Sequence, residues 1–340
     1  MTAASSGPLT FADAVDRLEH EARQGSFATG RYQCRYYDWG DGPALVFING
    51  LGDEPRSFAL PLNYLSKHFR CIAYQLPMGH EDGARLRRYR LEHLTDDLHR
   101  LLNHLNIERA TPLGHSFGAL VALTALHQDS KRFERGVLVS GFAARPLSNS
   151  HWWLATLGRY LPRHAELRHL RGRIEGMRRK HHVGFERHEP DRWTRFLDLT
   201  GRTPMRSAAH WGLMLHRVDL RPLLPSIRQP VLLLHGDSDP LVPAQHQEVL
   251  FAGLPNAVLF QLHQCGHLPM YTHAEALTTA LLTFHGTLPP PGGITHDCGT
   301  GPDEAGRCPT TGEACGGQEA IPRPTDHSEC PSGSPALAKA

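Results

Sequence analysis

The chain has 340 residues, of which 40% are hydrophobic and 21% charged, and its formal net charge is +2 at pH 7. These values are ordinary for a globular protein and exclude binding of nucleic acid through an overall positive charge. No apolar run reaches the roughly 18–20 residues of a transmembrane helix, and residues 1–8 lack the basic start and apolar core of a signal peptide. The sequence predicts a cytoplasmic protein with one large domain and an insertion, or with two domains.

The cysteines predict neither disulfide bonds nor a metal site. There are seven of them, an odd number, in a chain without a secretion signal. The four nearest the C-terminus are Cys298, Cys308, Cys315 and Cys330. Their spacing has none of the short Cys-x2-Cys pairs that are typical of zinc sites.

The hydrophobic pattern alternates between strands and helices along most of the chain. Thr10 and Asp13 form a capping box before an amphipathic helix that is predicted to end near Arg23. The continuous apolar run Ala44–Ile48 is typical of a strand buried on both faces. Other strands are predicted at residues 32–39, 71–76, 111–113, 136–140, 231–235 and 258–262, and helices at residues 58–69, 91–105 and 117–127. This order predicts an α/β fold with a mostly parallel sheet flanked by helices.

Two stretches depart from this alternation. Residues 142–227 have no strand pattern and contain 16 Lys and Arg against 7 Asp and Glu, so they are predicted to form a basic helical cap over one sheet edge. Residues 286–340 include 19 Gly and Pro and are predicted to be a disordered tail, because so few large aliphatic residues cannot offset the entropy of ordering. The remaining residues divide into an N-terminal helical extension at 1–30 and a core at 31–141 and 228–285.

The motif Gly114-His115-Ser116-Phe117-Gly118 lies between a predicted strand and a predicted helix. A serine on such a tight turn has its hydroxyl lifted clear of the sheet, and the two glycines let strand and helix approach closely. By itself the motif is short, and an ordinary strand-to-helix turn is the alternative interpretation.

Candidate partners for the serine follow two later strands. A serine becomes a good nucleophile when a base takes its proton, and the base needs a carboxylate to orient it. Asp237 and Asp239 come directly after the strand at 231–235, and His267 comes shortly after the strand at 258–262. Because the carboxyl ends of parallel strands meet at one sheet edge, these groups are expected to lie near Ser116. At this point either aspartate could instead cap a turn, and His267 could be a structural histidine.

These motifs, in this order, identify residues 32–285 as similar to the α/β-hydrolase superfamily, in the branch with a helical cap after the sixth strand. The motifs are Gly114-His115-Ser116-Phe117-Gly118, Gly236-x-x-Asp239-x-x-Val242-Pro243 and Gly266-His267-x-Pro269. The resemblance implies Ser116 as nucleophile, His267 as general base and Asp239, rather than Asp237, as its orienting acid. It implies no cofactor, and it makes His115 a residue that lines the turn.

The resemblance also implies a site for the oxyanion that forms during acyl transfer. One donor would be the backbone N–H of Phe117, and the other the N–H of Leu51 in Asn49-Gly50-Leu51-Gly52. The family usually has His-Gly-x-Gly here, so Asn49 is a departure. Since the donor is a backbone group, we expect the oxyanion hole to form nonetheless.

A serine nucleophile predicts a hydrolase that cleaves an ester, thioester, lactone or related acyl bond of a small-molecule substrate. The alternatives are an acyltransferase with the same residues and a ligand receptor of the same fold. The basic clusters at 168–173 and 178–182 could be a solvated helix face, could attract an anionic substrate, or could bind an anionic surface partner. Trp152, Trp153, Trp211 and Met214 could line an acyl pocket or pack the cap on the core. No nucleic-acid partner is expected, and no oligomeric state follows from the sequence.

Overall fold

The computed structural model describes residues 9–78, 82–145, 147–162, 164–170, 172–188 and 190–287. The strands are β1 (Arg23–Ala28), β2 (Gln33–Trp39), β3 (Ala44–Ile48), β4 (Arg70–Tyr74), β5 (Ala110–His115), β6 (Gly136–Val139), β7 (Val231–Gly236) and β8 (Ala257–Leu262). The α-helices are α1 (Phe11–Glu21), α2 (Ala59–Leu65), α3 (Leu91–His104), α4 (Phe117–Gln128), α5 (Asn149–Gly158), α6 (Arg173–His181), α7 (Pro190–Gly201), α8 (Met205–Arg217), α9 (Ala244–Gly253), α10 (Pro269–Thr272) and α11 (Ala274–Phe284).

The eight strands form one sheet in the order β1-β2-β4-β3-β5-β6-β7-β8. From β4 to β8 all neighbouring strands are parallel, and only β1 and β2 run antiparallel to their neighbours. The predicted α/β fold with a mostly parallel sheet is therefore confirmed. Parallel pairing also brings the carboxyl ends of β3, β5, β7 and β8 to the same edge, where all the predicted site residues follow a strand.

The N-terminal residues are more closely joined to the sheet than the sequence predicts. Thr10 caps α1 as expected, since its hydroxyl oxygen accepts a hydrogen bond from the N–H of Asp13. The helix then ends at Glu21, and residues 23–28, predicted as part of a helical extension, form the edge strand β1. Every residue of β1 pairs with β2, from Arg23 opposite Asp38 to Ala28 opposite Gln33. The mostly polar stretch of β1 has no hydrophobic alternation, which is why its sequence does not reveal a strand.

Two hydrophobic layers enclose the sheet. One contains the apolar side chains of α3 and α4, and the other those of α1, α2 and α11. Helix α4 is buried along ten consecutive residues, from Phe117 to Leu126. Such burial on all sides fixes the start of α4, and hence the turn before it, in the centre of the molecule.

Helices α5 to α8 lie between β6 and β7, in the region predicted to be a helical cap. No strand of the sheet occurs in the described part of this region, which agrees with the missing strand pattern. No described helix combines the length and the hydropathy that a bilayer crossing requires. The predicted disordered tail at 286–340 lies outside the described residues, apart from 286 and 287.

Candidate active site

Ser116 lies on the turn between β5 and α4, with φ of 50° and ψ of −114°. A positive φ is uncommon for a residue with a side chain, and a serine between a strand and a helix with this backbone is the geometry of a nucleophile turn. Ser116 is half-buried, whereas its neighbours in β5 and α4 are buried. Because Phe117 is the first residue of α4, its N–H has no partner within the helix.

Gly114 and Gly118 allow the strand and the helix to touch at this turn. A Cβ atom at Gly114 would lie 2.3 Å from the carbonyl oxygen of Gly118. A Cβ atom at Gly118 would lie 2.2 Å from the carbonyl oxygen of Ile48 in β3. Both glycines are therefore required by backbone contact, as the sequence motif predicts.

His267 and Asp239 form a buried pair at the same sheet edge. The Nδ1 atom of His267 lies 2.8 Å from Oδ2 of Asp239, and the side chains are 5% and 0% exposed. The Oδ1 atom of Asp239 accepts hydrogen bonds from the N–H groups of Leu241 and Val242. Burial alone would raise the pKa of Asp239, but the charge and hydrogen bond of His267 and the two backbone donors lower it to about 2. Asp239 is therefore ionised near neutral pH and accepts a hydrogen bond from the Nδ1–H group of His267.

Asp237 lies two residues before this pair and points elsewhere. Its carboxylate accepts a hydrogen bond from the hydroxyl of Ser238 and lies 2.8 Å from Nδ1 of the exposed His263. It therefore stabilises the turn after β7. Of the two aspartates, only Asp239 therefore contacts His267 in the described structure, a distinction that the residues alone did not make.

His115, directly before Ser116, connects the turn to the loop of His267. Its Nε2 atom lies 2.9 Å from the carbonyl oxygen of His267, so that nitrogen carries the proton and donates it. Its Nδ1 atom is buried and has no hydrogen-bond partner in the described structure. Burial, with a smaller effect of His267, lowers the pKa of His115 to about 3. His115 is therefore neutral at physiological pH and holds the His267 backbone in place.

The loop after β3 lies against the serine. A Cβ atom at Gly50 would be 3.4 Å from Cβ of Ser116. The side-chain amide of Asn49 donates hydrogen bonds to the carbonyl oxygens of Gly50 and Asp53, at 3.1 and 2.7 Å. Among the hydrogen bonds of the described residues, none uses the N–H of Leu51. Asn49 thus braces this loop from within while the Leu51 N–H stays available.

The segment that is predicted to be the cap makes contacts with the site that sequence reasoning missed. The hydroxyl of Thr203 donates to the carbonyl oxygen of Gly52 at 2.9 Å, so the segment before α8 rests on the loop after β3. His181, at the end of α6, has its ring centroid 5.8 Å from that of His267. Its Nδ1 atom is buried without a partner among the described residues, and burial lowers its pKa to about 3. His181 is visible in the sequence only as part of a basic cluster, which gives no sign that it faces His267.

The tryptophans of the cap differ in their surroundings. Trp211 is 2% exposed, and its ring centroid lies 5.5 Å from that of Phe117, so it packs α8 on the Ser116 turn. Trp153 is 59% exposed, so more than half of its side chain faces solvent. The sequence suggested that these residues either line an acyl pocket or pack the cap on the core. Trp211 packs on the core, whereas the exposed Trp153 fits neither interpretation.

The sequence profile of the alpha/beta hydrolase fold matches residues 43–274. The chain belongs to the α/β-hydrolase fold family. An uncharacterized hydrolase, YugF of Bacillus subtilis, is 28% identical over 262 residues, which cover 73% of this chain and 93% of that protein. A pimeloyl-[acyl-carrier protein] methyl ester esterase of Xanthomonas campestris is 28% identical over 261 residues, which cover 74% of this chain and 98% of the esterase.

Solved structures have the same fold. An enol-lactonase of Burkholderia xenovorans has a TM-score of 0.67 and 25% identity, with 77% of this α/β-hydrolase and 100% of the lactonase covered. A hydrolase of Pseudomonas aeruginosa has a TM-score of 0.69 and 24% identity, with 78% and 98% covered. The protein is therefore an enzyme of the hydrolase type. In the described part of the chain, no three His, Cys, Asp or Glu side chains are grouped so that they could hold a metal ion.

Asp53 follows the loop of this α/β-hydrolase that carries Leu51, and it is expected to make stability depend on pH. Its Oδ1 atom accepts a hydrogen bond from the N–H of Glu54, while Oδ2 is buried without a partner in the described structure. Burial raises the pKa of Asp53 to about 7. In the unfolded chain the same carboxyl group ionises near pH 4. The free energy of unfolding is therefore unaffected by this group below pH 4 and is lowered by up to about 4 kcal/mol above pH 7.

Asp53→Asn removes this ionisation and keeps the shape of the side chain. We expect its melting temperature, relative to that of the parent enzyme, to rise as the pH increases from 4 to 8. The exposed Asp41→Asn is the matched control and should leave the difference constant. Thermal melts at both pH values measure the effect, and an equal change at pH 4 and pH 8 would contradict it.

Proposed function

We propose that this enzyme is a serine hydrolase that cleaves an ester, thioester, lactone or related acyl bond through an acyl-enzyme on Ser116. The observation that carries the proposal is the 2.8 Å contact between His267 and the buried, ionised Asp239. With the Nδ1 proton of His267 directed at Asp239, the lone pair of Nε2 is free to accept the proton of the Ser116 hydroxyl.

In the proposed reaction, Oγ of Ser116 bonds to the carbonyl carbon of the substrate as His267 takes its proton. The carbonyl oxygen becomes negatively charged and accepts hydrogen bonds from the N–H groups of Leu51 and Phe117. When the bond to the leaving group breaks, His267 returns the proton to it. A water molecule then repeats the sequence at the acyl-enzyme and releases the acid. The free N–H of Leu51 and the helix-start N–H of Phe117 support this oxyanion site.

An acyltransferase is the second candidate, because an alcohol in place of water would use the same groups. The names of two relatives, a methyl ester esterase and an enol-lactonase, favour hydrolysis. A ligand receptor is disfavoured because it needs neither the Asp239–His267 pair nor an open N–H at Leu51. A cytoplasmic location, a reaction without a cofactor, and a cap that comprises residues 142–227 stay predictions.

A negatively charged substrate gains little support from the two basic clusters of the cap. Arg168 forms an ion pair with Glu166 at 2.7 Å, and Arg173 donates hydrogen bonds to Leu197 and Thr200. Arg178 and Lys180 are exposed. These contacts fit a helix face that stabilises the cap. We therefore propose an acyl substrate whose charge is not set by these clusters.

A fluorescent fluorophosphonate tests the nucleophile directly, since Oγ displaces fluoride from phosphorus only when a base takes its proton. We expect covalent labelling of the parent enzyme and no labelling of Ser116→Ala. Ser140→Ala is a matched control, because Ser140 also follows a strand end with a positive φ of 47° and is buried. Absence of labelling of the parent enzyme, or equal labelling of Ser116→Ala, would refute the proposal.

A panel of p-nitrophenyl esters of increasing acyl length then defines the acyl group. Added alcohol separates the two candidate reactions. A hydrolase gives the free acid as its main product, whereas a transferase gives the new ester and releases p-nitrophenol faster.

A further inference from the structure

Helix α5 of the cap exposes a row of large apolar side chains. Trp153, Leu154 and Leu157 of α5 are 59%, 66% and 66% exposed, and Tyr160, two residues after the helix ends, is 62% exposed; we call these four residues the apolar stripe. Their spacing of one, four and seven residues places them on one helical face. A soluble protein rarely leaves so many adjacent large apolar groups uncovered without using them for binding.

The opposite face of α5 is already occupied by the cap. A Cβ atom at Gly158 would lie 3.1 Å from Cβ of Ala209, and one at Gly212 would lie 3.8 Å from Cβ of Ala155. These small residues bring α5 and α8 close together. The apolar stripe is therefore the outer side of a helix that is held from behind, and its exposure is a feature of the packed cap.

Two neighbouring cavities beside the stripe are lined by arginines. Their volumes are about 440 and 570 Å³, and both are lined by Leu86, Arg87 and His210. The arginines that line one or the other are Arg85, Arg87, Arg88, Arg90, Arg159, Arg206 and Arg217, and we call this region the arginine cleft. None of them forms an ion pair with a carboxylate within the described residues.

Two acids line the cleft against seven arginines, so they do not neutralise it. Glu92 and Asp219 line the second cavity, and Asp219 is already paired with Arg221 at 2.6 Å. His210 adds no charge, because burial and the charges of Arg206 and Arg87 lower its pKa to about 4. Unpaired guanidinium groups around a cavity are suited to an anion, above all to phosphate, whose oxygens match their paired N–H donors.

The stripe and the cleft meet at Tyr160. The guanidinium carbon of Arg159 lies 4.8 Å from the centroid of this ring, and that of Arg87 lies 5.7 Å away. Arg159 also donates a hydrogen bond to the hydroxyl of Tyr160 at 2.8 Å. One continuous surface thus offers apolar and aromatic side chains beside arginines that form no ion pair with a carboxylate among the described residues.

We propose that the apolar stripe and the arginine cleft bind the surface of a lipid membrane with anionic phosphate headgroups. Trp153, Leu154 and Leu157 enter the boundary between headgroups and acyl chains, and the arginines bind headgroup phosphates. Tryptophan and tyrosine favour this boundary, and basic residues next to an apolar helix face strengthen binding to anionic lipid.

The charge of the surface disfavours the other occupants. A second copy of this chain, docked through the same face, would bring two arginine clefts together, and like charges repel. A soluble phosphate compound would fill the cleft but leave the stripe uncovered. An anionic membrane satisfies both features at once. The proposal is independent of the reaction at Ser116 and can be tested with the Ser116→Ala protein.

Flotation of the full chain with vesicles tests the proposal. We expect the protein to float with phosphatidylcholine vesicles that contain phosphatidylglycerol, and about tenfold less with phosphatidylcholine alone. The double variants L154S/L157S and R87Q/R88Q should each reduce binding to the anionic vesicles about tenfold. Trp153→Ser is a further stripe variant that should also reduce binding to the anionic vesicles. It replaces L154S/L157S in the comparison if that double variant has a lowered melting temperature.

Matched controls remove similar groups elsewhere on the surface. V249S/V258S removes two exposed apolar side chains outside the cap, and R100Q/R109Q removes two exposed arginines. Both should bind vesicles as the parent protein does.

Four outcomes would overturn the proposal. The protein fails to float with anionic vesicles, or its binding is unchanged in both stripe variants. Alternatively, light scattering shows a dimer that L154S/L157S abolishes, without any vesicle binding. The proposal would also fail if the cleft bound inorganic pyrophosphate while the protein did not bind vesicles.

Discussion

Replacement of Asp239 by asparagine is expected to lower kcat/KM for an ester substrate by about 10³–10⁴-fold. The carboxylate accepts a hydrogen bond from Nδ1 of His267 at 2.8 Å, and an amide in its place would present an N–H₂ group or a weaker acceptor. His267 would then favour the tautomer with the proton on Nε2, which cannot take the proton of Ser116. Steady-state kinetics with a p-nitrophenyl ester measure the loss.

Asp237→Asn is the matched control, because it makes the same chemical change two residues away. Asp237 interacts with Ser238 and His263 at the surface, so we expect less than about a threefold change in kcat/KM. Both variants should melt well above 25 °C, so that their activities can be compared at that temperature. An equal loss in the two variants, or a larger loss in Asp237→Asn, would show that Asp239 is not the acid that orients His267.

Gly118→Ala is expected to destabilise the enzyme by about 3 kcal/mol or more and to abolish measurable ester turnover. Its Cβ atom would lie 2.2 Å from the carbonyl oxygen of Ile48, and neither backbone can yield without shifting β3 or the start of α4. Because Ser116 lies on the turn between β5 and α4, such a shift displaces its hydroxyl. Urea unfolding and fluorophosphonate labelling report the two effects separately.

Gly176→Ala is the same substitution in a helix interior where it should help. Gly176 lies in α6, and an added Cβ atom meets nothing within 4 Å. Alanine favours the helix over glycine by about 0.5–1 kcal/mol, so we expect a small gain in stability and unchanged labelling. If Gly118→Ala were as stable and as active as Gly176→Ala, the close contact between α4 and β3 would not be required.

The sequence reveals the core of this enzyme because local pattern and tertiary structure agree there. Ala44–Ile48 reads as a buried strand and is one, since a strand inside a parallel sheet is covered on both faces. The order of Ser116, Asp239 and His267 follows from the order of strand ends along one edge. The choice between Asp237 and Asp239 needed the family pattern, because both follow the same strand.

The features that the sequence hides depend on contacts between distant segments. β1 has no hydrophobic alternation and is a strand only because β2 pairs with it. The arginine cleft joins residues 85–90 to α8, more than a hundred positions later, and neither segment alone indicates a cavity. His181 approaches His267 through the packing of α6, and helical spacing within α6 cannot place it there.

The bond between His115 and the carbonyl oxygen of His267 bears on how this enzyme could evolve. Together with the contacts of Asp239 to His267, Leu241 and Val242, it holds the proposed triad through groups that all belong to the sheet and its loops. The segment that is predicted to be the cap contacts the site through side chains such as His181 and Thr203. We therefore expect substitutions at such positions to change which substrate is bound, while the contacts of Asp239 and His267 that the proposed reaction uses are kept.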